Sequence, residues 1–207
     1  MIKIILKFTA ILLLIITFNV FAENNIVHIE GKVFVNEQPI DISYIFKAND
    51  KIQTFSNGFI KFTYENSAYS ISKNSIFILP DNEEKSLGNL IQGFLIGAFK
   101  EGETKKINVR HGLLSIRGTG VAIESTHEHS SVCLCYGEID LSTEQEDIQL
   151  SSQIKYHTLV HIDSTGDIYL PDLNSCKFNH WSKDNIELEG MLMNPSPFTK
   201  GLSKFLN

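Results

Sequence analysis

The sequence predicts an all-β protein, a short-strand sandwich or solenoid-like stack, followed by one small C-terminal α-helix. Three observations carry that expectation. Apolar residues alternate with polar ones over short stretches, the period of a strand with one buried face. The residues filling those stretches are β-branched and aromatic, which suits a pleated, half-buried surface. Helical periodicity is nearly absent before Pro171.

Taken in order, strands are expected at 27–35, 59–65, 69–72, 76–79 and 94–99. The alternation is clearest in Ile60, Phe62 and Tyr64. Breaks fall at Ser56-Asn57-Gly58, Glu65-Asn66-Ser67 and Pro80-Asp81-Asn82-Glu83-Glu84, all composed of turn-forming residues. The pattern resumes at 112–116, 121–124, 132–136, 138–141, 158–162 and 167–170. Asp184 followed by Glu187 then has the spacing of a capping box. Ile186, Leu188, Met191 and Leu192 would cover one side of a short helix ending before Pro195.

The first residues set the compartment. Lys3 and Lys7 precede an apolar run from residue 8 to 18, and Val20-Phe21-Ala22 leads into the polar Glu23-Asn24-Asn25. The run is shorter than the roughly 20 apolar residues a bilayer span needs, and its end suits signal peptidase. Residues 1–22 therefore read as a signal peptide cut after Ala22, giving a periplasmic protein with no stable membrane insertion, with an uncleaved anchor over the same residues as the competing reading. Removing them takes away two lysines and no acids, so the net charge moves from -6 to -8. Such a surface repels nucleic acid and anionic lipid. By length, residues 23–170 form one β domain, and residues 171–207 a helical appendage.

Around Arg117-Gly118-Thr119-Gly120, short strand patterns meet at a glycine corner. Upstream stand Gly31-Lys32-Val33-Phe34-Val35, then Asn49-Asp50-Lys51-Ile52-Gln53-Thr54, then a strand pair over 59–71 with Asn74-Ser75 after it. Downstream, 132–141 gives an aliphatic strand, a glycine and another strand. In these residues the chain resembles the FecR domain, a periplasmic β-rich module named after a regulator that relays iron-siderophore signals across the envelope. The resemblance covers about residues 27–141, and its Arg-Gly-Thr corner is the most specific element. It implies a non-enzymatic binding, scaffold or signalling module that engages an envelope protein. Signal-transducing members resemble anti-sigma factors with a cytoplasmic helical segment, whereas only residues 1–7 precede the apolar run here.

No catalytic constellation accompanies the corner. The chain has no Gly-x-Ser-x-Gly elbow, and Arg117-Gly118-Thr119-Gly120 does not open a helix as a phosphate loop would. Arg117 has two readings: a contact to an anionic ligand, or, with more weight, hydrogen bonds to backbone carbonyls that the bend leaves unpaired. Gly118 and Gly120 then serve backbone geometry.

Three cysteines enter an oxidising compartment. Cys133 and Cys135 lie two apart in a strand, with Cα atoms about 6.6 Å apart, at the edge of what a disulfide tolerates. A bridge from Cys176 to Cys133 or Cys135 is easier. The alternative function is a metal-binding or thiol-redox protein in which Cys133, Cys135 and His157, with His161 nearby, hold a transition metal. The Cys-x-x-Cys-His of haem attachment is absent. His127-Glu128-His129 reads as a solvated loop.

Overall fold

The computed structural model describes residues 25–81, 87–102, 104–152 and 157–171. Among them every helix-or-strand element is a β-strand, and the fourteen strands join into one sheet. The expected C-terminal helix lies outside the described residues.

Three strands are much longer than local alternation indicates. β8 (Leu87–Phe99), β10 (Gly112–Ser125) and β11 (His129–Ser142) run for 13, 14 and 14 residues. The breaks expected at 117–120 and at residue 137 do not end a strand. Instead each long strand changes neighbours partway along. β8 begins between β7 (Ile76–Ile78) and β9 (Thr104–Val109), the latter parallel to it, and ends between β6 (Ser67–Ile71) and β10. β10 pairs with β9 from Gly112 to Arg117, then with β8 from Gly120 to Ser125. β11 pairs with β13 (Thr158–Asp163) from His129 to Leu134, then with β12 (Asp147–Ser152) from Gly137 to Ser142.

The exchange divides the open sheet into two halves that share these strands. In the first half β3 (Gln38–Pro39), β2 (Val33–Val35), β4 (Lys51–Thr54) and β7 lead through the long strands and β9 to β12. In the second, β1 (Ile26–Glu30), β5 (Phe59–Tyr64) and β6 lead through them to β13 and β14 (Ile168–Tyr169). The halves pack face to face. Tyr69 of the second half meets Phe77 of the first with ring centroids 5.6 Å apart, and a Cβ on Gly112 would stand 3.3 Å from Ile162 Cδ1. Two packed layers made by strands that pass from one to the other account for the all-β architecture.

Between the layers lies a single apolar cluster. Ile60, Ile71, Leu95, Ile123, Val132 and Val160 line one row of the second half, each inaccessible to solvent. Leu114, Ile116, Ile139 and Leu141 face them from the first half. Each buried aliphatic side chain contributes roughly 1.5–3 kcal/mol relative to an exposed one. Phe62 stacks on Tyr69 at 5.2 Å, and Tyr69 meets Phe99 edge-on at 5.8 Å.

Local chemistry fixes the connections. Asn36-Glu37 and Glu65-Asn66 have positive φ at both residues, the turn geometry whose twist matches a two-residue hairpin. Asp50, 3% exposed, accepts hydrogen bonds from Asn36 Nδ2 at 2.8 Å, Tyr44 Oη at 3.0 Å and Lys47 N at 2.8 Å, anchoring the β3–β4 loop. Thr54 donates to the Ser72 carbonyl at 2.6 Å and accepts from Ser75 N at 2.9 Å, which ties β4 to the β6–β7 turn.

Candidate functional site

The glycine corner is a pair of cancelling bulges inside the β10–β11 ladder. Arg117 pairs with Glu138 before it and Val121 with Leu134 after it, four residues on along each strand, with Gly120 against Tyr136 between. The register is therefore the same on both sides, and only the direction of the strands changes. Gly118 has φ +54° and Gly137 φ +89°, both in the region that opposes a Cβ. Added Cβ atoms there would stand 2.9 Å from Glu101 Cα and 2.8 Å from Thr119 Cβ. The side chain that serves the displaced backbone is Thr119. Fully buried, it donates its hydroxyl to the Tyr136 carbonyl.

Arg117 does something else. Its side chain is 58% exposed and its Nη2 lies 3.2 Å from Asp140 Oδ2, with no backbone carbonyl as partner. The expected carbonyl-satisfying role thus passes to Thr119, because a long side chain on the outer face points away from the bend. Asp140 also accepts from Gln149 Nε2 at 3.1 Å. Arg117, Asp140 and Gln149 form a polar line across β10, β11 and β12 that leads from the bulge to the margin of the sheet.

Among the described strands that margin has four edges, and three carry protection against pairing with another chain. β3 is two residues long and contains Pro39, and β14 is two residues long. β1 has an irregular register between Ile26 and His28. β12 differs. Its six residues keep an unbroken register on β11, from Gly137↔Ser152 to Ser142↔Asp147, and include no proline or lysine. Asp147, Gln149 and Ser151 face outward and are exposed, while Leu150 is buried. Sequence reasoning passed over this strand, although Ile148 and Leu150 alternate with polar residues.

The proposed metal-binding cysteines are not a matched pair. Cys133 is disulfide-bonded and Cys135 keeps a buried thiol; Cys176 lies outside the described residues. A sulfur held in a disulfide is not a thiolate ligand, so Cys133, Cys135 and His157 do not form a metal donor set. Among the described residues no group of three or more His, Cys, Asp or Glu side chains could hold a metal ion. His157 stands just before β13, and burial holds its imidazole below its ordinary pKa.

His161 belongs to a row that the sequence did not reveal. Glu124, Ser131, His161 and Tyr169 are register partners across β10, β11, β13 and β14. Ser131 Oγ and His161 Nδ1 hydrogen-bond at 2.7 Å, and the His161 ring stacks on Tyr169 at 5.3 Å. His129, taken from the sequence as part of a solvated loop, opens β11 instead, with its ring 6.0 Å from that of His161 and Nε2 3.6 Å from Glu124 Oε2. Burial, then the neighbouring His129, lowers the His161 pKa, while Glu124 opposes them. An open cleft of about 660 Å³ is lined by Asn89, Asn108, Arg110, His111, Glu144 and Thr165 among others. Arg110 Nη2 donates to the Ile91 carbonyl at 3.4 Å.

No protein-family model and no curated protein matches the sequence. Solved structures do share the fold. A crystal structure of a putative anti-sigma factor from Parabacteroides distasonis superposes with a TM-score of 0.55 at 12% identity, over 63% of each chain. A second crystal structure under the same description, from the same organism, gives 0.54 at 11% identity over 70% of this chain and 74% of that one. The chain thus spans somewhat less than two thirds of the length of the first.

Proposed function

We propose that the chain is a non-enzymatic, periplasmic binding module of the FecR type, and that it engages an envelope protein by accepting a partner strand at β12. The observation that carries this is the contrast among the sheet edges: β12 is the long one without a bulge, proline or lysine. A strand edge offers a row of backbone donors and acceptors, and main-chain pairing gives affinity while alternate side chains give selectivity. The line of Arg117, Asp140 and Gln149 beside it supplies a charged surface that selects which strand docks. The likeness of fold to anti-sigma factor structures supports a role in signalling across the envelope.

The test is a quantitative pull-down from periplasmic and membrane extracts with wild-type protein and the double variant Gln149→Lys, Ser151→Lys, which charges the edge without touching the core. A partner retained by the wild type, lost by the variant at unchanged melting temperature, supports the reading. A partner retained equally by both would remove β12 from the account, and a measured catalytic turnover would remove the non-enzymatic reading.

A further inference from the structure

On the middle strands of the second half, β6, β8, β10 and β11, both faces of the sheet are buried. Its inner face is the core described above. Its outer face carries Ala68, Ser70, Ile96, Ala98, Ala122 and Cys133, on four adjacent strands, and none is more than 4% exposed. Ser70, Ala122 and Cys133 continue one cross-strand row through Ile96, and the residues on either side of them in sequence point into the core. The Ser70 hydroxyl, which water would satisfy on an open face, is buried with no hydrogen-bond partner. No described element lies over these residues. A strand buried at every position, as β6 is, requires cover on both sides.

We propose that this face is the docking surface for the chain's own residues 172–207, clamped to it by a disulfide between Cys133 and Cys176. Cys133 sits in the face and is disulfide-bonded, Cys135 keeps its thiol, and the chain has three cysteines, which leaves Cys176. The path is short enough. The chain leaves β14, which pairs with β13, which pairs with β11, so two strand spacings, about 10 Å, separate the exit from Cys133. The six residues from Leu170 to Cys176 span at most about 20 Å. The composition is also complementary. Ile186, Leu188, Met191 and Leu192 supply bulk where the strands present small side chains. The strap would deny this face to other proteins and leave the edges of the sheet as the surfaces open to a partner.

The experiment uses the full chain from Glu23, purified with its thiols capped and digested without reductant. The expected result is a peptide pair joined through Cys133 and Cys176 in a protein that runs as a monomer on a non-reducing gel. A Cys133–Cys135 link, or a Cys176 link between two copies, would overturn the proposal, the second outcome placing another copy on the face. A second measurement follows maleimide labelling of a Ser70→Cys probe in a Cys135→Ser background, read by mass spectrometry. The probe should be protected in the full chain and react severalfold faster in a chain ending at Pro171 that keeps its β-strand circular dichroism. Equal rates in the two folded chains would contradict the strap; if the shortened chain does not fold, the disulfide map of the intact protein decides.

Discussion

The two halves of the sheet share β8, β10 and β11, yet their outer faces have opposite character. In the first half the outer rows read Lys106, Ser115, Asp140 and Gln149, then Arg117, Glu138 and Ser151, a solvated surface. In the second half the same strands present Ile96, Ala122 and Cys133, small or apolar side chains shut away from solvent. A single strand can serve both environments because it is bent between them. The bulges at 117–120 and 136–137 turn the ladder without changing its register, so each half is free to meet its own surroundings. The difference is one of burial: the outer face of the first half is open to solvent, and the middle of the second is shut away from it.

The largest expected effect comes from removing the bend that separates the halves. Gly118→Val places a Cβ against Glu101 Cα in a backbone conformation that opposes it. Stability should fall by about 1–3 kcal/mol, read by urea unfolding, with a lower yield of folded protein. An unchanged midpoint would mean that the crossing is not strained, and the comparison would lose its physical basis.

Next comes the hydrogen bond that serves the displaced backbone. Thr119→Val keeps shape but leaves the Tyr136 carbonyl without its hydroxyl donor inside the protein. A loss of about 1 kcal/mol is expected from the missing hydrogen bond. Loss of less than that would show that the carbonyl finds another donor.

How much of this was legible in the sequence follows from the same crossing. Alternation placed ten of the fourteen described strands at least in part, as in Ile60, Phe62 and Tyr64, because a half-buried strand writes its period into its residues; it ran β1 and β2 together and passed over β3, β4, β9 and β12. What it misjudged was continuity. Gly118, Gly120 and Gly137 look like chain breaks locally, but pairing with three neighbouring strands carries β10 and β11 through them. The partner edge was missed for a related reason: whether a strand is central or marginal depends on long-range order, which no local pattern holds. One available signal went unread. Val121-Ala122-Ile123 and Val132-Cys133-Leu134 are apolar at consecutive positions, the signature of burial on both faces.

Acid should act on the second half before the first. Its outer row holds His161, whose pKa lies below the ordinary 6.5 through burial and His129, with Glu124 opposing. The same direction holds for His157. Above the unfolded value both states are neutral and the stability is complete. As pH falls through about 6.5 the unfolded chain takes up protons that the folded chain does not, and stability declines until the lower folded value is reached. Melting temperature should therefore drop between pH 7.5 and pH 5, and His161→Gln should reduce the drop. An unaltered slope in the variant would remove His161 from the explanation.

The smallest effect belongs to the exposed surface of the first half. Arg117→Ala breaks an exposed ion pair with Asp140, which costs less than about 1 kcal/mol. Its melting temperature should stay close to that of the wild type, whereas a loss as large as that of Gly118→Val would show that the guanidinium supports the bend after all.

Hydroxyl-radical footprinting of the folded protein, read by mass spectrometry residue by residue, tests the contrast between the faces most directly. Ile96 and Cys133, on the second half, should be strongly protected, while Phe34 and Ile78, partly exposed on the first half, should label readily. Labelling of Ile96 as fast as that of Phe34 in the folded protein would contradict the account, because the two outer faces would then be equally open.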